Sequence, residues 1–301
     1  MIIAVASGKG GTGKTTIATS LALSLAVDRG RSEAESDPPL FLDCDVEAPN
    51  AHLFLKPAFE QRQEVGLLIP EVDAERCTHC GKCAEVCQYH AIAVLGKKTL
   101  VFPQLCHGCG SCTLMCPEGA ISERLNVMGV LERGGALSGI DFARGTLDIG
   151  EPMAVPVIRQ LKQWATPEEG QVVIVDVPPG TSCPVVEAVR GADNILLVTE
   201  PTPFGLHDLK LAVQVAQELK IPAGVIINRD GLTGDCGIDM EAFCQEQGIP
   251  VLLRIPFERK IAEGIAQGRT LVEIHAEFKQ RFQQLVDRLR SELPNGNEFE
   301  A

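Results

Sequence analysis

The chain has 301 residues, 45% of them hydrophobic and 4% aromatic, with a formal net charge of −13. That length suits one large α/β domain with a small insert, or two ordinary domains, and the core must be built from aliphatics and alanine. The acidic balance excludes nucleic acid as an expected partner, since no basic stripe stands out among the more numerous acids, and no run reaches the roughly 18 apolar residues of a membrane span.

Residues 1–7, MIIAVAS, are apolar without a basic leader and read as a first strand, not a signal peptide. A Gly-rich turn and the small, apolar segment 15–30 follow, giving a strand, phosphate loop and helix. Residues 31–39, RSEAESDPP, form a polar loop into strand 40–46, LFLDCDV, which ends in acids. Eight cysteines then fall within 77–116, and VMGVLERGG (127–135) reads as strand and turn. Beyond it the pattern alternates: helix 157–164, strands with loops at 171–180 and 194–203, helix 205–219, strand 223–230, helix 239–247, strand 250–256, and helices 258–267 and 274–289. Repeated βα units predict a mostly parallel sheet with helices on both faces. The last helix carries Phe278, Phe282, Leu285 and Leu289. It is expected to pack on the domain and not on a membrane, because the tail PNGNEFEA is acidic.

Cys77, Cys80, Cys83 and Cys87 form C-x2-C-x2-C-x3-C, and Cys106, Cys109, Cys112 and Cys116, followed by Pro117, repeat it. A cubane iron–sulfur cluster needs four converging thiolates; a tight run supplies three, and in this two-cluster spacing the fourth crosses over. The assignment is Cys77, Cys80, Cys83 and Cys116 to one [4Fe-4S] cluster, and Cys106, Cys109, Cys112 and Cys87 to the other. Zinc also uses paired C-x2-C elements, but three cysteines per run, twice, disfavour it. The block resembles bacterial two-cluster ferredoxins over about fifty residues, departing at Gln88, where that pattern has Pro. His79 and His107, between ligands, read as solvated loop residues. Twelve cysteines without a leader point to a reducing compartment, and a cytoplasmic location is expected.

SGKGGTGKTT, residues 7–16, fits G-x-x-x-x-G-K-[ST] between a strand and a helix. Gly8, Gly10, Gly11 and Gly13 allow backbone N–H groups, with that of Thr12, to turn onto phosphates. Lys14 neutralises charge, Thr15 holds Mg2+, and Thr16 completes the helix N-terminus. With Lys9 after the first glycine, the loop resembles the deviant Walker A ATPases, the MinD, ParA, Mrp and nitrogenase iron protein superfamily.

The resemblance covers nearly the whole chain outside the cysteine block and implies ATP or ADP with Mg2+ and slow ATP hydrolysis without a partner. It also implies an ATP-dependent homodimer, or a heterodimer with a paralogue, in which Lys9 crosses to the partner's nucleotide. FLDCDVEAPN resembles the first switch, with Asp45 positioning the attacking water and aiding the metal shell and Asp43 supporting it. VVIVDVPPGT resembles Walker B and switch II, with Asp176 on Mg2+ and Gly180 free to sense the γ-phosphate. Strand end IINRD resembles the adenine side, with Asn228 on the base edge and Arg229 nearby. Glu200, Thr202 and Pro203 form a loop beside the nucleotide, structural or functional. Cys183, seven residues past Asp176, sits where the nitrogenase iron protein has a cluster ligand. A packing or switch-loop role is expected for it instead, and Cys236 and Cys244 are too widely spaced to supply the C-x-x-C of Mrp-type carriers.

The combined expectation is a P-loop ATPase domain (1–57 and 126–301) interrupted by a small α+β ferredoxin domain (58–125). Three activities fit: ATP-gated electron transfer to a redox partner; ATP-driven delivery of clusters to a metallocofactor partner; or MinD-like positioning with structural or sensing clusters. Closed four-cysteine sets favour the first.

Overall fold

The structure is a computed structural model and describes residues 1–26, 38–136, 139–232 and 240–292. Its layers follow from strand alternation. In β1 (Ile2–Ala6), Ile3 and Val5 enter one apolar cluster while Ala4 and Ala6 enter another. In β2 (Leu40–Asp43), Phe41 opposes Leu40 and Leu42 in the same way. A strand covered on both faces must be apolar on both, so these segments read as unbroken aliphatic runs.

Between β1 and β2 lies α1 (Lys14–Leu25), whose Thr16, Thr19, Ser20 and Ser24 are buried with its apolar residues. Their hydroxyls are satisfied locally: Thr19 Oγ1 donates to the Thr15 carbonyl at 2.7 Å and Ser24 Oγ to that of Leu21 at 2.6 Å. The chain continues through a one-turn helix α2 (His52–Leu55), the long β3 (Ala58–Val72), α3 (Lys82–Val86), the hairpin β4 (Ile92–Leu95) and β5 (Lys98–Val101), α4 (Ser111–Leu114) and the long β6 (Ile121–Gly135). Then come β7 (Asp141–Leu147), α5 (Val155–Trp164), β8 (Val173–Asp176), α6 (Cys183–Val189), β9 (Asn194–Thr199) and α7 (Pro203–Glu218). Last are β10 (Ala223–Asp230), α8 (Met240–Glu246), β11 (Val251–Pro256), α9 (Arg259–Ala266), α10 (Leu271–Ile274) and α11 (Glu277–Glu292).

Nine strands form one sheet in the order β11-β10-β9-β1-β8-β2-β7-β6-β3. From β11 to β7 all pairings are parallel, and β6 and β3 add an antiparallel edge. Residues of α1, α9, α10 and α11 pack on one face, and those of α5, α6, α7 and α8 on the other. Phe278, Phe282, Leu285 and Leu289 all face the sheet.

The edge departs from the sequence reading. VMGVLERGG is not strand then turn: β6 runs straight through Gly134 and Gly135, paired with Ala58 and Phe59. A Cβ on Gly134 would lie 1.9 Å from the Ala58 carbonyl oxygen, so this glycine serves close strand approach, not a turn. Strand β7 and helix α6 were not anticipated; β7 has a glycine, Gly145, whose Cβ would meet Val46 and Val157 at 2.9 Å. The helix expected over 274–289 is α11, which starts at Glu277; Ile274 instead ends the short α10, begun by a capping box of Thr270 and Glu273.

Strands β3 and β6 are shared between two regions. Their Ala58–Val65 and Gly129–Gly135 ends lie in the nine-stranded sheet beside β7, and their other ends continue as a two-stranded ribbon to the cysteine block. The register shifts between Val65 and Gly66, and a Cβ on Gly66 would lie 1.9 Å from the Asn126 carbonyl oxygen.

Candidate functional site

The carboxyl ends of β1, β2, β8, β9 and β10 gather the loops that matter. After β1 the chain turns through Gly11 and Gly13, at φ 80° and 93°, conformations that a side chain disfavours. Gly8 packs on α7, where a Cβ would lie 2.1 Å from the Asp208 carbonyl oxygen. Gly13 caps α1, placing Lys14, Thr15 and Thr16 in its first turn. Asn228, at the end of β10, donates from Nδ2 to the Thr12 carbonyl at 2.8 Å and sits under Gly13.

Asp43 and Asp176 end adjacent strands in register, both fully buried. Asp43 is engaged by the loop it precedes: Oδ1 accepts from the Asp45 amide at 3.3 Å and Oδ2 from that of Ala51 at 3.1 Å. Burial, and then the neighbouring Asp176, push its pKa well up. The oxygens of Asp176 have no partner of good hydrogen-bond geometry. Burial raises its pKa to about 7, although the Thr15 hydroxyl and the Lys14 ammonium pull the other way. Asp45 is raised too, by burial, with Lys14 opposing. A buried, unpartnered carboxylate beside a hydroxyl and an ammonium suits a hard cation carrying phosphate. Gly180, at φ 97°, donates its N–H to the Ser7 carbonyl at 3.0 Å, tying the loop after β8 to the phosphate loop.

Lys9 does not project freely. Its Nζ lies 2.6 Å from Glu200 Oε1, at the end of β9, and Arg229 Nη1 lies 2.9 Å from Glu200 Oε2. In the sequence Glu200 is an acid at a strand end beside a family-like loop, which fits a structural or a functional role.

The eight cysteines surround two cavities. Cys87, Cys106, Cys109 and Cys112 line one. Cys77, Cys80, Cys83 and Cys116 line the other. The crossed grouping follows from folding. Gly81 and Gly110, in left-handed conformations, start α3 and α4 directly after the second cysteine of each run, and the two helices pack together. The fourth cysteine of each run then reaches the other run's cavity. The halves match in detail: the Ala91 amide donates to Cys87 Sγ and the Ala120 amide to Cys116 Sγ, both at 3.3 Å.

Burial raises the thiol pKa values of Cys83, Cys106 and Cys112, and the Ser111 side chain and amide lower that of Cys109. His107 is an exposed loop residue, as expected, and stacks on Tyr89 at 3.7 Å, whereas His79 is half-buried, its Nδ1 lying 3.6 Å from Cys77 Sγ and 3.3 Å from Thr99 Oγ1. Among the described residues no three His, Cys, Asp or Glu side chains converge tightly enough for a single metal ion. Zinc would draw four sulfurs to about 2.3 Å from one centre; thiols ringing a wider space suit a polynuclear group.

Residues 3–272 match the model of the CobQ/CobB/MinD/ParA nucleotide binding domain. The chain belongs to that family. An uncharacterized protein of Methanocaldococcus jannaschii is 29% identical to this CobQ/CobB/MinD/ParA-type chain over 91% of it and 92% of the relative. The iron-sulfur cluster carrier protein of the same organism is 26% identical over 46% of this chain and 52% of the carrier. The septum site-determining protein MinD of Pyrococcus horikoshii, solved with Mg-ADP, superposes with a TM-score of 0.56 at 21% identity, covering 96% of this chain and 97% of that one. Within this family fold Cys183 is exposed at the start of α6, away from both cavities, Cys244 is buried in α8, and Cys236 lies outside the described residues. No helix among the described residues is long and apolar enough to cross a membrane.

Proposed function

We propose that this protein binds and hydrolyses ATP with Mg2+, and that nucleotide-driven changes in the switches and a dimer are coupled to electron transfer through two [4Fe-4S] clusters held in the segment 58–125. The observation that carries this reading is the pair of cavities, each ringed by four cysteines in crossed sets, on a ribbon that grows from the sheet edge next to the first switch. Thr15 and Asp176 would hold Mg2+ with Asp45 in its outer shell, Gly8 to Thr16 would cradle the phosphates with Lys14, and Lys9 would act across the dimer. Bound clusters would supply one-electron chemistry.

Two routes link the switches to the ribbon, one along the chain and one through side-chain contacts. Asp43 fixes the Ala51 amide, from which α2 leads within a few residues into β3. From the second switch, α6 follows Gly180, and α5 grips α6: Arg159 pairs with Glu187 at 2.9 Å and Lys162 donates to the carbonyls of Glu187, Ala188 and Arg190. On the same helix Gln160 donates to the Gly66 carbonyl at 2.7 Å, at the register shift of the ribbon. A displaced α6 is therefore transmitted to the base of the ribbon.

Cluster delivery is the second reading, favoured by likeness to an iron-sulfur cluster carrier protein. One pair of measurements separates them. Reduction potentials of the loaded protein, with and without Mg-ATP, are expected to differ, and the difference is expected to vanish in Lys14→Ala and Asp45→Ala. Potentials indifferent to nucleotide, with iron moving to an added apo-acceptor, would replace electron transfer by delivery.

A further inference from the structure

We infer that Glu200 is the positioning residue for Lys9, holding that lysine within its own subunit and releasing it when a nucleotide is bound. The inference rests on reading Lys9 as the lysine that acts across the dimer. The Glu200 carboxylate is 11% exposed, while its two partners, Lys9 and Arg229, are 30% and 43% exposed. A mostly buried acid thus carries one cation on each oxygen.

The three groups differ in how firmly they are held. Glu200 cannot easily move: its carbonyl accepts from the Thr202 amide at 2.7 Å and lies 2.1 Å from where a Cβ on Gly205 would be, so the turn into α7 is tight. Arg229 is held at its backbone. It takes a left-handed φ of 54°, costly for a residue with a side chain, and its amide donates to Asn228 Oδ1 at 2.9 Å while Asn228 is anchored on Thr12. Lys9 is the mobile member, on a flexible four-carbon stem in a glycine-rich loop.

This arrangement explains why two cations share one acid. If Lys9 were the sole partner, its departure would leave a buried charge unpaired, which is strongly unfavourable. Arg229 stays behind and keeps Glu200 compensated, so Lys9 leaves at the cost of one charge-assisted hydrogen bond. A bound triphosphate, more negative than one carboxylate, is a stronger competitor for the ammonium. Without nucleotide the lysine is folded back and the subunit is not presented for pairing.

The test labels lysines with an amine-reactive ester in the full chain and reads Lys9 by mass spectrometry, with and without a non-hydrolysable ATP analogue. Without nucleotide, Lys9 in wild type is expected to react several-fold more slowly than in Glu200→Gln. In Glu200→Asp, which keeps the charge for Arg229 but is one methylene too short to span both cations, it is expected to react at an intermediate rate. Sedimentation of the same proteins with the analogue is expected to show half-maximal dimerisation at lower concentration in Glu200→Gln, by about a hundredfold for the loss of one charge-assisted bond in each of two subunits, and no such gain in a Lys9→Gln background. Unchanged Lys9 reactivity in both folded Glu200 variants overturns the inference. If Lys9→Gln dimerises as wild type does, the cross-dimer reading fails, and the labelling result alone then shows whether Glu200 holds Lys9 at all.

Discussion

The nucleotide-binding body and the cysteine block are held together by different physics. The body spreads two apolar clusters over the faces of a nine-stranded sheet, with Phe41, Phe142, Phe278 and Phe282 fully buried. The block has two small clusters, one of Cys83, Ile92, Cys112 and Ile121 and one of Ile69, Ala91 and Cys106, so its buried side chains are to a large extent its own thiols. About fifty residues bury too little apolar surface to stand alone, and a region whose interior is made of metal ligands derives its order from what they hold. The body should therefore survive changes that dismantle the block.

Removing iron from the loaded protein with a chelator and an oxidant gives the largest expected effect. Amides of residues 73–120 should lose protection from hydrogen exchange while those of β1, β8 and β9 keep theirs; protection retained in the iron-free block would refute the comparison. Phe142→Ala, which empties the contact with Phe41 at 5.5 Å, should cost the body about 3–5 kcal/mol in denaturant titration, with the visible spectrum per folded molecule unchanged.

A third prediction concerns pH. The Asp176 carboxyl is raised to about 7 by burial, so the folded metal-free protein retains a proton that the unfolded chain has released. Its stability should fall as pH rises from about 4 to 7, by at most about 4 kcal/mol. Asp176→Asn should make that slope shallower, leaving the part that Asp43 and Asp45 contribute, and a slope of the opposite sign would contradict the assignment. The smallest effect is at the junction of the two regions: Gln160→Ala, removing the bond to the Gly66 carbonyl, should cost about 1 kcal/mol. It should appear as faster exchange confined to the base of the ribbon, and exchange altered only inside the body would argue against a mechanical link.

Much of this was legible in the chain. The parallel strands were readable because their two faces are both covered and their residues uniformly aliphatic, and the phosphate loop because glycines and Lys14 occur at fixed offsets between a strand and a helix. The edge was harder. Gly134 and Gly135 look like a turn in sequence, and only the approach of Ala58, distant in the chain, makes them strand residues. Glu200 was equally opaque, because an acid at a strand end reads alike whether it caps a loop or carries two cations.

The sequence by itself determined the local chemistry: which glycines can turn, which residues can meet a phosphate, and which thiols occur in runs of three. Those properties depend on spacings of a few residues, which the chain imposes without help. Only the tertiary structure decided which distant groups meet. It set Asp43 beside Asp176 by strand register, left Asp176 without a partner, aimed Lys9 and Arg229 at one carboxylate, and hung both cysteine cavities on a ribbon gripped by Gln160. Such contacts depend on strand order and helix packing, and these are settled by burying the whole sheet at once.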